Sequence, residues 1–225
     1  MNITVVIPTL NEAAELPETL KRVKALPEVC EVIVSDGGST DGTRECAAKL
    51  GGRVVTGVCG RGHQLRLGAE QAQGDVVLLL HADTWLQADA GAAIVAALQD
   101  SGVVGGASYK AFREPHWLMR GSRIRCWWRM RTQQFAYGDQ ALFVRRDVLV
   151  RVGGVPAVPL MEEHELCRRL RREGRLVLAG TTVTTSARRF RERGVLRTYW
   201  RMAVTNLGWH LGVSPDRLRR LYERR

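Results

Sequence analysis

The sequence predicts an α/β fold in which a mostly parallel central sheet is flanked by helices. Within residues 1–110, short β-branched runs alternate with helical patterns, which is typical of βαβ units. The runs are apolar at nearly every position, as expected for strands covered on both faces. The length of 225 residues fits one large domain, or one domain with an appendage.

The elements follow from these patterns. Strands are expected at residues 3–7, 32–35, 53–58, 76–80 and 141–145. The first helix is expected to contain Leu16, Leu20 and Val23, with Asn11 as a plausible N-cap. Further helices are expected at residues 43–50, 64–72, 88–98, 161–172, 198–209 and 215–224. After residue 110 the pattern is less regular, with a stretch rich in Trp and Arg at 116–131.

The chain carries excess positive charge, and nearly all of it lies in the second half. Residues 1–110 hold 9 basic and 13 acidic side chains, whereas residues 111–225 hold 25 and 10. Thirty of the 34 basic residues are Arg, whose guanidinium binds phosphate or carboxylate in a bidentate manner. An anionic partner is therefore expected, although a GC-rich genome would also explain the arginine content. No nucleic-acid-binding motif is recognisable, so nucleic acid is not the expected partner.

Neither a disulfide framework nor a membrane span is indicated. The five cysteines are odd in number and contain no C-x-x-C pair. The N-terminus lacks the basic region of a signal peptide, and its apolar run is broken at Pro8. No stretch approaches the roughly 18 apolar residues that a membrane span requires. The expected location is the cytoplasm, with peripheral contact at the inner membrane surface as a further expectation.

Polar residues follow three of the predicted strands. They are the segments from Pro8 to Glu12, from Ser35 to Thr43 and from His81 to Asp83. Ligands of open α/β sheets bind outside the carboxyl ends of the strands, so these segments predict a site for a ribose, a base and a divalent cation. The absence of G-x-G-x-x-G and G-x-x-x-x-G-K-[ST] argues against a Rossmann dehydrogenase or a P-loop NTPase.

At these residues the chain resembles the family 2 glycosyltransferases, which have the GT-A fold. Residues 7–12 (Ile-Pro-Thr-Leu-Asn-Glu) resemble the opening motif of that family, and residues 34–43 resemble its V-x-D-G-x-S-x-D-G-T segment. Residues 74–83 are similar to the strand that leads into the metal-binding D-x-D motif. Residues 138–140 (Gly-Asp-Gln) and 160–163 (Leu-Met-Glu-Glu) resemble the acceptor-side elements.

The resemblance covers about residues 1–190 and looks most like small bacterial members grouped as radical-SAM/selenodomain-associated transferases. It implies a nucleotide-diphosphate-sugar donor, with a UDP-sugar expected, and a divalent metal, Mn²⁺ or Mg²⁺. The implied donor-binding residues are Pro8, Thr9, Glu12, Asp36, Arg61, Gln64 and Asp83. Asp139 and Gln140 are implied on the acceptor and sugar side, Asp83 and His81 at the metal, and Glu163 or Glu162 as the catalytic base.

Two departures from the family pattern bear on the chemistry. His81 stands in place of the first Asp of D-x-D, and imidazole suits Mn²⁺ or a later metal better than Mg²⁺. Glu163 stands where the family carries an Asp base, so Glu162 remains a second candidate. The Q-x-x-R-W motif and transmembrane helices of processive members are absent, which favours transfer of a single sugar.

Each candidate residue also has an ordinary structural explanation. Asp83 would suit the capping of the next helix, and Asp36 the shaping of a glycine-rich turn. Glu12 and the Glu162–Glu163 pair would suit the first turn of a helix, where acids complement the dipole. Arg61 would suit a solvated loop. Asp139 precedes a strand, where turn chemistry alone would account for it.

The sequence therefore predicts a metal-dependent, inverting, non-processive glycosyltransferase. Residues 1–110 would form the nucleotide-sugar half, 111–190 the acceptor half and 191–225 a basic helical appendage. One alternative is a sugar-nucleotide nucleotidyltransferase, which would normally carry a G-x-G-T-R-like loop after the first strand. Another is a non-catalytic module that binds anionic lipid or RNA.

A membrane contact is expected from residues 196–225. Arginines alternate there with Tyr199, Trp200, Trp209 and Leu211, a combination that suits an anionic headgroup layer next to a lipid-linked acceptor. The alternative is that these aromatic residues pack in a core and the arginines are solvated.

Overall fold

A single mixed sheet of eight strands forms the centre of the computed structural model, which describes residues 1–114 and 116–223. The strands are β1 (Ile3–Thr9), β2 (Val29–Asp36), β3 (Arg53–Thr56), β4 (Val76–Leu79), β5 (Thr84–Trp85), β6 (Val103–Phe112), β7 (Leu142–Arg145) and β8 (Arg175–Thr185). The helices are α1 (Leu16–Lys24), α2 (Thr43–Lys49), α3 (Arg61–Glu70), α4 (Ala90–Ala97), α5 (Ser122–Gln133), α6 (Arg146–Arg151), α7 (Glu162–Leu170), α8 (Arg188–Arg193), α9 (Val195–His210) and α10 (Pro215–Glu223).

The strand order is β3-β2-β1-β4-β7-β6-β8-β5. β1 pairs in parallel with β2 and β4, β2 with β3, and β6 with β8. β7 runs antiparallel to β4 and β6, and β5 runs antiparallel to β8. Six of the eight strands in the described part of the chain thus run in one direction, which confirms the mostly parallel sheet. The order reverses between β1 and β4, the position at which α/β sheets bind ligands.

The reversed direction of β7 brings the segment that was predicted to lie on the acceptor side to the same edge of the sheet. Leu142, the first residue of β7, pairs with Leu79, the last residue of β4. The short 3₁₀ turn Gly138–Gln140, directly before β7, therefore lies beside the carboxyl ends of the parallel strands. Segments from both halves of the chain meet there.

The core lies on both faces of the sheet. Ile3, Val5 and Ile7 of β1 face one cluster, which includes the buried residues of α1 and α4. Val6 faces the other cluster, which includes Leu65 of α3 and buried residues of α7. This explains why the strands are apolar at successive positions, because each face is covered by helices.

Two long strands were not predicted from the sequence, and one helix cap was placed wrongly. β6 and β8 were not expected, because β6 contains two consecutive glycines and β8 contains Gly180 among several threonines. Gly106 is needed where it stands, since a Cβ there would lie 2.0 Å from the carbonyl oxygen of Val177 on β8. Asn11 is not the N-cap of α1, which begins at Leu16; its φ is +56° and its Oδ1 accepts a hydrogen bond from the Thr40 N–H at 2.9 Å.

The C-terminal helices form as expected and pack on the acceptor half. The expected boundary at 190/191 falls within α8, and the predicted residues Arg224 and Arg225 lie outside the described residues. Tyr199 of α9 packs against Phe190 with ring centroids 5.2 Å apart. In residues 1–114 and 116–223, no helix has both the length and the apolar character needed to cross a membrane.

Gly62, in the first turn of α3, allows this helix to approach the loop before α7. A Cβ on Gly62 would lie 2.5 Å from the carbonyl oxygen of Val158 and 2.7 Å from that of Pro156. Both neighbours are backbone atoms, so a side chain has no room without moving the loop. The loop and helix α7, which begins at Glu162, are thus held close to the start of α3.

We expect Gly62→Ala to destabilise the protein, although alanine is normally favoured over glycine in a helix by about 1 kcal/mol. The inserted methyl group should cost about 1–3 kcal/mol through displacement of the 156–158 backbone. Urea unfolding would measure this change. Gly180→Ala is the matched control, because nothing lies within 4 Å of its Cβ position. If Gly62→Ala proves as stable as the wild type, α3 and the loop are not in close contact.

Candidate active site

Asp36, at the end of β2, organises the loop that follows this strand. Thr9 donates a hydrogen bond from Oγ1 to its Oδ1 at 3.1 Å, and the N–H groups of Gly38 and Ser39 each donate to Oδ2 at 2.9 Å. Burial alone would raise the pKa of this carboxyl, but the hydrogen bonds from Ser39, Gly38 and Thr9 hold it below its usual value. Asp36 therefore remains ionised and shapes the glycine-rich turn.

Gln64 fixes the start of α3 to the ends of β1 and β2. Its Nε2 donates to the carbonyl oxygens of Thr9 at 2.6 Å and Ser35 at 2.9 Å. Its Oε1 accepts from the Gly60 N–H at 3.3 Å. Both ends of the buried amide are thus bonded within the protein. This anchoring sets the position of Arg61, which begins the helix.

Arg61 lies between the two candidates for the catalytic base. Its Nε donates to Glu162 Oε1, and its Nη2 donates to Glu163 Oε2 at 3.1 Å. Its Nη1 lies 3.4 Å from Nε2 of His81. Burial alone would lower the pKa of Arg61, but the two carboxylates raise it above its usual value. The guanidinium is therefore a permanent cation shared by two acids.

Glu162 and Glu163 open α7 and are both buried. Acidic groups are favoured at a helix N-terminus, where the free N–H groups leave partial positive charge. Burial raises the pKa of Glu162, although Arg61 opposes the shift. Its Oε2 is buried and has no hydrogen-bond partner within the described residues. A small pocket is lined by both carboxylates together with His81 and Gly138.

His81 faces the Arg61 side of the site. It is held neutral, because burial and the Arg61 charge lower its pKa to about 3. A Cβ on Gly138 would lie 2.9 Å from its Nε2, so the 138–140 turn packs directly on the imidazole. A ring nitrogen that faces a guanidinium is poorly placed to receive a metal ion. In the unliganded chain Nε2 faces Arg61, and the metal role of His81 stays a prediction.

Asp83 lies in a second charged group, in which the effect of burial on its pKa outweighs that of the nearby arginines. Burial raises its pKa, the Glu15 carboxylate contributes to this rise, and Arg188 opposes it. Burial also raises the pKa of Glu12, with Asp83 contributing and Arg188 opposing. Arg188 Nη2 lies 3.4 Å from both carboxylate oxygens of Glu12. Three carboxylates thus lie close together. Arg188 contacts Glu12, Arg113 pairs with Glu15 at 2.8 Å, and Arg188, Arg113 and Arg189 all oppose the rise in the pKa of Asp83.

The protein offers few metal ligands at Asp83, so a cation bound there would take its other ligands from the substrate or from water. The Asp83 carboxylate receives one long hydrogen bond, from Thr84 Oγ1 at 3.4 Å. Across residues 1–114 and 116–223, no group of three or more His, Cys, Asp or Glu side chains is arranged to hold a metal. Asp83 would therefore act as a single protein carboxylate, and diphosphate oxygens or water would complete the coordination.

Asp139 is paired with a lysine that the sequence did not point to. Lys110 of β6 donates from Nζ to Asp139 Oδ2 at 2.7 Å, while Oδ1 is buried with no partner among the described residues. Burial alone would raise the pKa of Asp139, but Lys110 lowers it below its usual value. Gln140 is fully buried and donates from Nε2 to the Ser108 carbonyl at 3.1 Å. It also accepts from the Arg129 guanidinium, so it holds the turn in place.

The family of this chain is recognisable from its sequence. Residues 4–149 match the family model described as Glycosyl transferase family 2.

The chain belongs to this family.

The matched region runs from β1 through β7 and includes Asp36, Arg61, Asp83 and Asp139, whereas Glu162 and Glu163 lie beyond it. Among curated relatives, the undecaprenyl-phosphate 4-deoxy-4-formamido-L-arabinose transferase of Aeromonas hydrophila is 40% identical over 93 residues. Those residues make up 36% of this chain and 28% of that protein. The chain thus spans little more than a quarter of the length of this curated relative.

Solved structures share the fold of this family 2 chain. A mannosyltransferase from Pyrobaculum calidifontis in complex with GDP-Man and Mn²⁺ has a TM-score of 0.69 and 23% identity, over 91% of this chain and 61% of that one. A glucosyl-3-phosphoglycerate synthase from Mycobacterium tuberculosis, in complex with Mn²⁺, UDP and glucosyl-3-phosphoglycerate, has a TM-score of 0.60 and 21% identity. That match covers 82% of this chain and 70% of the synthase. The predicted GT-A fold is confirmed.

We expect Arg61→Ala to lower the free energy of unfolding by on the order of 3 kcal/mol at pH 7, since two buried carboxylates lose their counter-ion. The pKa of Glu162, already raised above 4.5, should rise further in the variant. A folded-state pKa above the unfolded value costs stability at higher pH, so the deficit should shrink as the pH is lowered towards 5. Urea unfolding at several pH values would test this.

Arg66→Ala is the control on the same helix. Arg66 pairs with Glu70 at 2.8 Å on the surface, and such pairs contribute at most about 1 kcal/mol. An Arg61→Ala deficit equal to that of the control, or independent of pH, would contradict the buried bridge.

Proposed function

We propose that this family 2 chain transfers one sugar from a nucleotide-diphosphate donor to an acceptor nucleophile, with inversion at the anomeric carbon. One observation supports this above all: the Arg61–Glu162–Glu163 group and the Asp139 turn lie together at the edge of the sheet where β1, β2 and β4 end. A base, a fixed cation and an acceptor-side turn at the strand ends suit an attack on a bound donor.

Residues 1–110 are proposed as the nucleotide-sugar half and residues 111–190 as the acceptor half. Pro8 and Thr9 end β1, Glu12 lies shortly after it, and the Asp36 turn begins at the end of β2, so these segments would border the nucleoside. Gln64 and Asp36 would act mainly by holding this loop, because their polar atoms are bonded within the protein. A UDP-sugar is the proposed donor. The solved neighbours hold GDP-Man or UDP, which supports a nucleotide-sugar donor without choosing the base.

A divalent cation, Mn²⁺ or Mg²⁺, is proposed at Asp83. When bound, such an ion would offset the negative charge that develops on the leaving diphosphate. Asp83 suits this role because its half-buried carboxylate receives, within the described residues, only one long hydrogen bond, so its oxygens can still coordinate a cation. Arg188, which faces Glu12 and Asp83, would add a permanent positive charge on the same side of the donor.

Glu163 is the proposed general base, with Glu162 as the alternative. The base takes the proton that the acceptor still carries, for a phosphate that of its monoanion, and the acceptor oxygen forms a bond to the anomeric carbon. The bond from that carbon to the diphosphate oxygen breaks, and the nucleoside diphosphate leaves with the electron pair. The donor diphosphate would compete with Glu162 and Glu163 for the guanidinium of Arg61. If Arg61 moved towards the diphosphate, one carboxylate oxygen would be free to accept the acceptor's proton.

The proposed acceptor is a phosphate carried on a lipid, used at a membrane surface. The names of the curated relatives specify undecaprenyl-phosphate, which supports this class of acceptor. On this chain, Lys110 lies next to Asp139 and Arg129 next to Gln140, so the acceptor side carries cations that suit a phosphate. The basic half of the chain would thus face both the acceptor and its lipid surface.

We expect Asp83→Asn to abolish metal-dependent donor affinity while the fold is preserved. The variant removes the carboxylate proposed to hold the cation, at a strand end outside the core. Calorimetric titration with UDP and GDP, with and without Mn²⁺, would measure the loss. Asp147→Asn, at an exposed carboxylate paired with Arg151, is the matched control. Mn²⁺-dependent affinity that is undiminished in Asp83→Asn would rule out this metal role.

We expect Glu163→Gln to lose about 10²- to 10⁴-fold in transfer rate with nearly normal donor binding, as is typical when a general base is removed. Nucleoside diphosphate release from a panel of UDP- and GDP-sugars would be measured with an undecaprenyl-phosphate acceptor. Glu165→Gln is the control on the same helix, since Glu165 pairs outward with Arg168 and Arg169.

A dead Glu162→Gln beside an active Glu163→Gln would assign the base to Glu162. Release of pyrophosphate from a nucleoside triphosphate, without sugar transfer, would instead identify a nucleotidyltransferase. Binding of nucleotides with no turnover of any donor would contradict the proposed reaction.

A further inference from the structure

Helix α9 presents a continuous apolar stripe to solvent. Leu196, Trp200, Val204, Leu207 and Leu211 are between 36% and 74% exposed. Their spacing of three or four residues places them on one face of the helix, with Leu211 directly after its last turn. The opposite face packs on the protein through Thr198, Met202 and Thr205. Two of the residues predicted to contact the membrane do not belong to this stripe. The ring of Tyr199 packs against Phe190, and that of Trp209 lies near His164.

Helix α5 carries a second exposed stripe. Ile124, Trp127 and Trp128 are between 51% and 71% exposed, at the same helical spacing. Trp117, shortly before the helix, is 68% exposed. Tryptophan rings are large enough that such exposure is unusual for a side chain with no partner.

Helix α9 packs against the segments that flank α5 on both sides. Met119, just before α5, packs in one cluster with Tyr199 and Met202 of α9. Tyr137, just after α5, accepts a hydrogen bond at its hydroxyl from Asn206 of α9 at 2.7 Å. Helix α9 thus contacts the chain at both ends of α5.

Charge indicates what covers these stripes. Within α5 and α9, six arginines accompany the apolar residues and no Asp or Glu is present: Arg123, Arg125, Arg129, Arg131, Arg197 and Arg201. A basic helix with Trp and Leu on one face is typical of a segment that lies in a lipid headgroup layer. A partner protein would need matching acids around an apolar patch, whereas an anionic bilayer supplies both properties over any area.

We propose that the exposed stripes of α9 and α5 form a lipid-facing surface, which lies in the headgroup layer of an anionic bilayer. The inner face of α9 contacts Tyr137 and His164, which lie next to the Asp139 turn and to Glu163. This surface would therefore place the acceptor side of the site at the depth of a lipid phosphate. Only this last step rests on the proposed function, because vesicle binding is independent of catalysis.

Vesicle sedimentation with the full chain tests the surface. Vesicles of phosphatidylcholine alone and of phosphatidylcholine with phosphatidylglycerol would be compared at low and high salt. The wild type should sediment with anionic vesicles and be released at high salt through screening. Trp200→Ser/Leu207→Ser and Trp127→Ser/Trp128→Ser should each weaken binding at least tenfold. Arg197→Gln/Arg201→Gln should weaken it roughly tenfold or more, since each cation near such a surface contributes to binding.

Leu50→Ser/Val150→Ser is the matched control, because both residues are exposed and lie outside the two helices. It should bind vesicles like the wild type, and all of the variants should retain nucleotide affinity. The surface is wrong if the wild type stays in the supernatant at low salt, or if the stripe variants bind as well as the control. It is also wrong if sedimentation velocity without lipid shows a dimer that the stripe variants convert to monomers.

The two proposals fail separately. If the wild type turns over no donor but binds vesicles in the expected pattern, the proposed function is wrong and the lipid-facing surface is supported. If the wild type transfers sugar but does not bind anionic vesicles, the lipid-facing surface is wrong and the proposed function is supported.

Discussion

The bridge from Arg61 to Glu162 and Glu163 is the constraint on which the site depends. These residues are about 100 positions apart, at the first turns of α3 and α7. A buried charge without a partner is costly, so the two helices are fixed relative to each other by the need to keep the charges together. The surrounding features serve this arrangement: the Gln64 amide ties α3 to β1 and β2, and Gly62 lets the loop before α7 come close.

The site contains two groups of charged side chains, one around Arg61 and one around Asp83. Around Arg61, a guanidinium has two carboxylates, and a neutral imidazole lies beside it. Around Asp83, burial keeps the pKa values of Glu12 and Asp83 raised although arginines lie nearby. A donor diphosphate with a divalent cation would interact with both groups: the anion would draw on Arg61, and the cation would satisfy Asp83.

The sequence was sufficient for the parts of the fold that local patterns encode. The first four strands, their helices and the polar strand ends followed from apolar periodicity, and the family resemblance was confirmed by the match over residues 4–149. β6 was not predicted because consecutive glycines are untypical of a strand; here Gly105 lets β7 approach and Gly106 lets β8 approach. The Arg61 bridge and the Lys110–Asp139 pair were not predicted from the sequence for another reason. Each joins residues distant in sequence, and no local signal marks which acid an arginine or lysine will meet.

The position of β7 in the sheet has a consequence for how the chain assembles during synthesis. β6 is completed at Phe112, but its neighbour β7 begins only at Leu142, and β8 on its other side at Arg175. At ribosomal rates of about 5–20 residues per second, β6 waits roughly 2–6 s for its first partner with both edges unpaired. The two halves of the sheet are joined only through β7. The nascent chain therefore depends on β6 remaining unaggregated until β7 is synthesised.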